Sequence, residues 1–250
     1  MVPYKGNSEL IFEVQFKAPE ITNSFDIALA QYSTVAPFQN LIDAYQMIDG
    51  ESIDDSPLYD PANRYLNRDP RFYMTIVYIG APFRGKIADD RVCHTTGYTY
   101  KKLTMYDTLD IGTITASEMN FPFIRYADIL LMYAEAMNEV NGPTMEVYDA
   151  INQIRNRPTV EMPDLPVGLN KDQMREAIRF ERRIEFAGEG LYFYDMRRWK
   201  TAEVVNVGTF YDYQGGVKSI RVFNPARDYL WPIPFPELDL NPNLIQNPGY

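Results

Sequence analysis

Apolar residues recur at three- and four-residue steps through the middle of the chain, between residues 121 and 199. In the first segment of this region the apolar positions are Phe123, Tyr126, Ala127, Leu130, Leu131, Ala134 and Met137. This spacing predicts an amphipathic helix with a wide apolar face, starting near Phe121. Asn141-Gly142-Pro143 predicts its end, because glycine and proline stop helices.

Three further helices are predicted in the same region. Thr144 can cap the second helix, which ends before Pro158. The third runs from about residue 171 to 187 with Asn170 as its cap, and the fourth from about residue 191 to 200. Because a short turn between two helices makes them antiparallel neighbours, we expect two helical hairpins in succession.

Glu181 and Glu185 fall along the apolar stripe of the third predicted helix, so its apolar face contains at least one carboxylate. A buried charge is tolerated when it is paired and hydrogen-bonded. The candidate partners are the arginines of the helical region, Arg155, Arg182, Arg183, Arg197 and Arg198. A catalytic acid is the functional alternative, but arginine keeps a carboxylate ionised, whereas a general acid needs a raised pKa. The pattern therefore favours a structural ion pair between neighbouring helices.

In the first 120 residues, the alternation of apolar and polar residues and the positions of turn residues predict short strands, loops and one short helix. Apolar and polar residues alternate from Leu10 to Phe16, which predicts a half-buried strand. The polar, aperiodic stretch from Pro19 to Pro37 predicts a long loop, and Phe38 opens a short helix that ends at Asp49-Gly50. A nearly continuous apolar run from Phe72 to Ile79 predicts a buried strand.

Four side chains of this region are candidates for contacting a ligand. Long ordered loops often carry binding sites, and tyrosine offers both an apolar ring and a hydroxyl. On these grounds the predicted ligand contacts are Tyr32, Phe38, Gln39 and Tyr45. Aromatic residues make up 14% of the chain, and such side chains suit sugars as well as protein cores and interfaces.

The last part of the chain, residues 201–250, combines a hairpin signal with a proline-rich tail. Two runs, 207–213 and 218–223, flank Gln214-Gly215-Gly216, where glycine supplies the positive φ that a tight turn requires. Residues 228–250 are rich in Pro and Asn and predict an extended tail that lies over the helices. We expect Trp231 to anchor this tail.

Charge and rare residues exclude several classes of function. A formal net charge of -10 argues against a nucleic-acid partner, which needs a concentrated positive surface. The chain has one cysteine, Cys93, and one histidine, His94, too few for a zinc site or a catalytic triad. The sequence contains no phosphate-binding loop, nucleophile elbow or metalloprotease motif. It therefore predicts no catalytic residue, no metal site and no cofactor.

The acidic segment 51–71 leaves a minor alternative open. Its aspartates could hold a divalent cation or supply a pair of glycosidase carboxylates, and they are Asp54, Asp55, Asp60 and Asp69. Their spacing matches no EF-hand, and aspartate is also an ordinary turn and cap residue. The segment is thus expected to form turns.

Five longer motifs resemble one known family. In chain order they are RYADILLMYAEA, AINQIRNRP, REAIRFERRIEF, EGLYFYDMRRW and YLWPIPFPELDLNPNLIQNPGY. They are similar to the C-terminal half of the SusD/RagB family, which are surface-exposed, lipid-anchored outer-membrane proteins of Bacteroidetes that bind glycans. Three upstream segments resemble the same family in the same order, namely SELIFEVQF, FQNLIDAYQMIDG and PLYDPANRYLNRDPRFYMTIVYIG.

The resemblance implies a mostly α-helical, SusD-like fold with small β elements. As the C-terminal portion of a SusD/RagB-like domain, the chain would divide into a ligand-side region rich in loops and strands (1–120), tetratricopeptide-like helical hairpins (121–200), and a hairpin with an extended tail (201–250). The N-terminal half of the family, with its signal peptide and lipid-carrying cysteine, is expected to be absent. Apolar faces of the helices between residues 121 and 154 should then be exposed.

The family-like motifs also carry residues that we expect to be structural. They are Arg125, Glu181, Arg182, Arg183, Asp195, Arg198 and Trp199. At one position the chain departs from the family, which commonly has an arginine where this chain has Tyr192. The departure concerns one contact between helices.

The function implied by the resemblance is non-catalytic binding of oligosaccharides or polysaccharides at the outer-membrane surface. The implied partners are a glycan and a SusC-like TonB-dependent transporter, and the membrane is reached only through a lipid anchor outside this chain. A peptide-binding or purely protein-interaction scaffold of the same uptake complex is the alternative. A glycoside hydrolase that uses Asp54, Asp55 or Glu181 is a further one.

Overall fold

The computed structural model describes residues 7–107 and 112–250. Within these residues the α-helices are α1 (Gln39–Ala44), α2 (Pro70–Thr75), α3 (Tyr126–Asn141), α4 (Met145–Arg155), α5 (Lys171–Glu185), α6 (Leu191–Arg198), α7 (Ala202–Val205) and α8 (Phe235–Leu240). The strands are β1 (Leu10–Val14), β2 (Ile76–Tyr78), β3 (Pro82–Phe83), β4 (Lys86–Ile87), β5 (Tyr98–Tyr100), β6 (Phe121–Arg125), β7 (Gly208–Tyr211) and β8 (Val217–Arg221). The prediction of a mostly helical fold with small β elements is confirmed.

The strands of the described residues form four separate antiparallel pairs. They are β1–β6, β2–β5, β3–β4 and β7–β8. The β7–β8 pair is the predicted hairpin, and Gly215 in its turn has a φ of 81°, a left-handed conformation that costs glycine little. The β1–β6 pair joins two segments that are far apart in sequence and so attaches the start of the described chain to the helical centre.

Helices α3, α4 and α5 form the main apolar core. Leu131 of α3, Ile151 of α4 and Ile178 of α5 are each at most 1% exposed. The predicted cap of α5 is present, because the Asn170 side chain accepts from two backbone N–H groups and Gln173 reciprocates to the Asn170 backbone. Such a capping box satisfies donors that a helix start otherwise leaves unpaired.

Helix α3 begins at Tyr126 and not at the predicted Phe121. Residues 121–125 form β6, which pairs with β1. The physical reason is Pro122, because the residue before a proline is restricted to an extended conformation and the proline has no N–H for a helical hydrogen bond. Phe123 therefore lies on a strand, and its side chain is 53% exposed.

The apolar run from Phe72 to Ile79 was predicted as one strand, but its first half belongs to α2. The Asp69 side chain caps α2 by accepting from the Arg71 N–H, and Pro70 occupies the first helical position. Both features favour a helix start. Only residues 76–78 continue as a strand, β2, paired with β5.

Two segments predicted without helix contain short helical turns, and one predicted helix is shorter than expected. Residues Asp26–Gln31 form one π-helical turn inside the predicted loop 19–37, held in part by the buried carboxylate of Asp26, which accepts from the Met105 N–H at 2.6 Å. In the predicted extended tail, α8 starts with Pro236 in its first turn, where proline is tolerated.

Helix α1 ends at Ala44, before the predicted Asp49-Gly50. Trp231, the expected anchor of the tail, is 69% exposed.

The predicted apolar faces of α3 and α4 are buried against each other and α5, which corrects the expectation that they are exposed. Helix α3 carries a second apolar stripe, on another face, that is exposed to solvent. Large residues at positions 126, 129, 133 and 140 are exposed, from 39% at Ile129 to 79% at Val140. Positions three, four and seven apart share one face of a helix, so these residues line up on a side that differs from the buried one at Leu131. Exposed Ile11, Phe12 and Ile124 on β1 and β6 add to the exposed apolar surface of this region.

Candidate functional site

Glu181 of α5 lies in a buried cluster of ion pairs. Its side chain is 1% exposed and accepts hydrogen bonds from Arg71 of α2 and from Arg155 of α4, the second at 2.9 Å. A carboxylate shared by two guanidinium groups is a structural ion pair and is unsuited to proton donation. The structural interpretation favoured by the sequence fits this geometry, although Arg71 was not among the predicted partners.

Glu185, one helical turn further along α5, extends this cluster. It accepts from Arg157 at 2.9 Å and from Arg125 at 3.1 Å. Burial alone would raise the pKa of Glu185, but the positive charges of Arg125, Arg157, Lys102 and Arg71 outweigh it and hold the pKa at about 2. The carboxylate is therefore ionised throughout the neutral range.

A cavity of about 680 Å³ lies beside the Glu185 cluster. Its charged lining groups pair with one another, as in the contacts of Arg125 with Glu185 and Glu189 and of Lys102 with Glu189. These pairs use most of the hydrogen-bonding capacity of the charged groups, although Arg157 Nε and Glu13 Oε2 of the lining are buried without a partner among the described residues. The cavity is larger than the cleft described below, but its chemistry is that of an internal ion-pair network.

A second ion-pair cluster joins α5, α6 and α3. Arg182 donates to Asp195 at 2.9 Å, and Asp195 also accepts from Arg198 at 2.8 Å. Arg198 and the indole N–H of Trp199 both donate to Glu135. These predicted structural residues thus contact one another as a group.

Arg183 differs from the other predicted structural arginines. Its guanidinium lies 5.5 Å from the centre of the Tyr192 ring and donates to the backbone carbonyl of Asn40. No carboxylate of the described residues lies within ion-pair distance of it. Tyr192 therefore offers Arg183 a ring face for a cation–π contact.

The structure separates the four side chains predicted to contact a ligand. Tyr32 is 53% exposed, whereas Tyr45 has no exposed surface. Phe38 is half-buried, with its ring centre 5.3 Å from that of Phe210. The ring of Tyr45 packs edge-on against Phe72 in the core, because the inner face of α1 continues into this residue. Tyr45 therefore cannot touch a ligand in this structure, which corrects the prediction.

Gln39 belongs to a chain of hydrogen bonds that leads towards the surface. Arg64 donates to the hydroxyl of Tyr65 at 2.7 Å, and the hydroxyls of Tyr65 and Tyr98 are 3.0 Å apart. Tyr98 donates to the side-chain oxygen of Gln39 at 2.6 Å, and Gln39 donates to Asp43 at 2.7 Å. Since each group donates to the next, the chain fixes the orientation of Arg64 and Tyr65. We call these five residues the Arg64–Asp43 chain.

Tyr65 and Tyr78 line a surface cleft of about 270 Å³. Their ring centres are 3.9 Å apart, with 27° between the ring planes. Burial raises the pKa of Tyr78 further above its ordinary value of 10.0. Its hydroxyl, protonated at neutral pH like that of any tyrosine, can donate a hydrogen bond. The cleft is lined by Pro61, Ala62, Asn63, Arg64, Tyr65, Leu66 and Tyr78. We call it the Tyr65–Tyr78 cleft.

The position of Arg64 in the cleft depends on a neighbouring glycine. The Arg64 guanidinium donates to the backbone carbonyl of Tyr213 at 2.9 Å, and the Tyr213 ring packs on Gly97. Gly97 has a φ of 84°, and a Cβ atom there would lie 2.1 Å from the Tyr213 ring. Any side chain at Gly97 would thus displace Tyr213 and with it a partner of Arg64.

The sequence did not predict this cleft. Arg64 and Tyr65 lie in the acidic segment 51–71, which is expected to form turns, and Tyr78 lies in the apolar run 72–79, which predicts a buried strand. One local feature of the sequence indicates the cleft: Arg64 and Tyr65 directly follow a turn that begins with Pro61. Proximity of residues 61–66 to Tyr78 arises from tertiary packing, which no local pattern encodes.

Two of the four aspartates of segment 51–71, Asp60 and Asp69, serve as local caps. Asp60 accepts from the Ala62 N–H at the start of a 3₁₀ turn, Pro61–Asn63, and the buried Asp69 caps α2 and pairs with Arg71. Within residues 7–107 and 112–250, no group of three His, Cys, Asp or Glu side chains is placed to hold a metal ion.

The model of the SusD family matches residues 15–250. The chain belongs to the SusD family. Among solved SusD-like structures, a carbohydrate-binding protein from Bacteroides fragilis is 29% identical, with a TM-score of 0.84 over 96% of this chain and 55% of its own. A second SusD-like protein from Bacteroides fragilis is 29% identical, with a TM-score of 0.82 over 100% of this chain and 56% of its own. A laminarin-binding SusD-like protein is 25% identical, with a TM-score of 0.59.

Curated SusD-like relatives match a shorter part of the chain. One SusD-like protein of Formosa agariphila is 36% identical over 140 residues, which are 54% of this chain and 26% of the relative. Another from the same organism is 33% identical over 155 residues, 28% of its length. The chain thus spans only part of its relatives, about half in the solved structures. None of the helices described here is long and apolar enough to cross a membrane.

Proposed function

We propose that this SusD family chain takes part in binding oligosaccharides or polysaccharides without catalysis, for delivery to a SusC-like TonB-dependent transporter at the outer-membrane surface. The observation that carries the binding proposal is the Tyr65–Tyr78 cleft. The carbohydrate-binding and laminarin-binding SusD-like proteins of the same fold support the ligand class.

The cleft has the chemistry that a sugar requires. The C–H groups of a sugar ring pack on aromatic faces, while its hydroxyls need donors and acceptors. The stacked rings of Tyr65 and Tyr78 supply apolar surface, the Tyr78 side chain supplies a hydroxyl, and Arg64 adds donors at the rim. At about 270 Å³ the cleft is just below the roughly 300–1,000 Å³ of small-molecule sites, which suits a short part of a longer sugar chain.

Two of the ligand contacts predicted from the sequence, the exposed Tyr32 and the half-buried Phe38, remain part of the proposal. Gln39 is the predicted ligand contact that is linked to the cleft, because it accepts from Tyr98 and donates to Asp43 in the Arg64–Asp43 chain. We assign Gln39 a positioning role and propose Tyr32 and Phe38 as contacts for more distant parts of a glycan. Tyr45 is left out because it is buried.

Hydrolysis is disfavoured by the surroundings of the candidate acids. Glu181 is enclosed by two arginines, and Asp55 accepts from the Ser52 hydroxyl at 2.7 Å in a surface turn. A glycosidase needs two carboxyl groups that face each other across the scissile bond, one of them with a raised pKa. The Tyr65–Tyr78 cleft is lined by no carboxylate.

The exposed stripe of α3 supports a second proposal, contact with protein. Contiguous apolar surface of this kind often marks an interaction site. A protein-interaction role and glycan binding are compatible, since the stripe and the cleft involve different residues. The transporter partnership is tested by co-purification: a tagged copy in its native host should retain a TonB-dependent transporter from solubilised outer membranes, and recovery without it would contradict the proposal.

Affinity electrophoresis and calorimetry with a broad glycan panel that includes laminarin test the binding proposal. At least one glycan should retard the wild-type chain, and Tyr78→Ala should weaken that binding by about tenfold or more, because stacking of one ring is lost. Tyr194→Ala is the matched control, since Tyr194 is 67% exposed and lies outside the cleft. Equal losses in both variants, or no retardation by any glycan, would contradict the proposal.

A further inference from the structure

The Tyr65–Tyr78 cleft carries a positive charge and no lining carboxylate, in a chain with a formal net charge of -10. Arg64 is the charged residue of the lining. Its Nη2 atom donates to the Tyr65 hydroxyl and to the Tyr213 carbonyl, which are both neutral acceptors. No carboxylate of the described residues lies within ion-pair distance of Arg64, so its charge is not neutralised by direct contact.

The donors of Arg64 are only partly used. Nη1 and Nε have no hydrogen-bond partner among residues 7–107 and 112–250, and the side chain is half-buried. Its guanidinium lies 4.9 Å from the centre of the Tyr65 ring. The group is thus held in place at the aromatic wall by Nη2, while its remaining donors are free to bind a ligand.

A second arginine behind the cleft adds to the positive charge. Arg68 is 2% exposed and donates only to backbone carbonyls, those of Ile42, Tyr45 and Arg64. Its Nε atom is buried without a partner. A buried cation without an ion pair exerts a less screened field than a surface one.

Two acidic groups lie near the cleft, Asp43 and Asp60. The exposed Asp60 carboxylate accepts from the side chain of Asn63, a residue of the cleft lining, at 2.8 Å. Asp43 is close enough to Arg68 and Arg64 for their charges to lower its pKa, although burial raises that pKa more strongly. The Asp43 carboxylate accepts from Gln39 at the far end of the Arg64–Asp43 chain. It therefore stabilises the orientation of Arg64 through three intervening residues and does not occupy its free donors.

We propose that the Tyr65–Tyr78 cleft binds an anionic saccharide, with a carboxylate or sulfate group of the sugar next to Arg64 and the sugar ring against the tyrosines. Hydrogen bonds from guanidinium to an anionic oxygen are stronger than those between neutral groups. The inference rests on the proposed glycan binding and names the class of glycan.

Calorimetry with matched pairs of hexasaccharides tests it. Uronate hexasaccharides are compared with the same sugars after reduction of each carboxyl group to an alcohol, and sulfated hexasaccharides with their desulfated forms. The wild-type chain should bind at least one anionic form about tenfold or more tightly than its neutral counterpart, because one charge-assisted contact is lost. The pair that shows this difference identifies the anion as carboxylate or sulfate.

Three variants assign the difference to Arg64. Arg64→Gln should bring the affinity for the anionic form down to that for the neutral form, and Arg64→Lys should restore part of it. Arg91→Gln is the control, since it removes the same charge from a side chain that is 88% exposed. Thermal unfolding of each variant shows whether it is folded, and the comparison of ligand pairs on the wild-type chain is independent of all variants.

The outcomes separate this inference from the proposed function. Equal binding of neutral and anionic forms, with loss in Tyr78→Ala, would overturn the anionic assignment and leave glycan binding in place. A preference for the anionic form that Arg64→Gln does not change would also overturn it. Absence of binding to every member of all pairs, and to the neutral panel, would overturn both.

Discussion

At the scale of single residues, Glu181 shows what a hydrophobic pattern can and cannot indicate about a charge. Its place in the apolar stripe of α5 indicates a buried, paired carboxylate, and the structure pairs it with Arg155, one of the predicted candidates. The other partner, Arg71, lies 110 residues away in sequence. Local spacing contains no information about such a contact, so half of the ion pair could not be predicted.

Removal of the Glu181 charge should destabilise the fold strongly. Glu181→Gln leaves the buried guanidinium of Arg155 without a carboxylate and removes one of the three carboxylates that pair with Arg71. We expect a loss of about 3–5 kcal/mol in the free energy of unfolding. Urea denaturation measures it. Glu176→Gln is the matched control on the same helix, where the side chain is 71% exposed and a change within about 0.5 kcal/mol is expected. Similar losses in both variants would refute the burial argument.

The low pKa of Glu185 predicts acid sensitivity. Its pKa of about 2 in the folded chain lies below the ordinary value of 4.5. The ionised form therefore stabilises the fold above about pH 4.5, and this contribution is lost as the pH falls from there towards 2. For a depression of this size the loss is on the order of 3 kcal/mol. Unfolding measured between pH 6 and about 2 should show it, and Glu185→Gln should flatten the curve in that window.

The candidate site was only partly accessible to sequence reasoning. Gln39 is predicted as a ligand contact and instead lies within the Arg64–Asp43 chain, while Tyr45 is predicted as a ligand contact and is buried. Both residues lie in or directly after α1. The sequence indicates this segment, but it does not indicate which way the two side chains point. Tyr65 and Tyr78 meet only because segment 61–66 folds back on β2, and their separation of 13 positions matches no helical or strand period.

At the scale of elements, the long helices were predictable because apolar period and caps agree. Helix α5 begins at Lys171 after its predicted cap, Asn170. The errors lie at prolines and in short elements. Pro122 turned a predicted helix start into β6, and Pro70 turned a predicted strand start into α2, because each proline fixes the backbone on one or both sides.

The cap of α5 should carry measurable stability. Asn170→Ala removes the side-chain acceptor for two backbone N–H groups and should cost about 0.5–2 kcal/mol. Thr144 occupies the equivalent position of α4 but makes no capping hydrogen bond through its side chain. Thr144→Ala is therefore expected to cost less than Asn170→Ala in urea denaturation. The reverse order would contradict the capping geometry.

At the scale of the whole molecule, the exposed apolar surface of α3 accompanies a fold that spans about half of the solved SusD-like chains. The residues of this exposed surface of α3 follow the helical period as regularly as the buried residues of the same helix do. The sequence pattern could therefore predict that both faces are apolar. It could not predict which face the rest of the described chain covers, because that depends on the positions of α4 and α5.

The stripe of α3 should make the isolated chain self-associate. We expect concentration-dependent association in analytical ultracentrifugation, since large exposed apolar surface favours contact between copies. The double variant Ile129→Lys, Val140→Lys should weaken it without a large change in unfolding free energy, because both side chains are exposed. Gln153→Lys adds a charge on an exposed polar position and is the control. Association that persists equally in all three proteins would exclude the stripe as its cause.

NMR titration of the chain with ring-labelled tyrosine tests the central claim most directly. A glycan identified by affinity electrophoresis is added while the tyrosine ring signals and the reducing-end signals of the sugar are followed in one sample. We expect the signals of Tyr65 and Tyr78 to shift and saturate while the reducing-end signals keep constant intensity. Unmoved Tyr65 and Tyr78 signals at saturation, or reducing ends that accumulate, would contradict a glycan that is held in this cleft without cleavage.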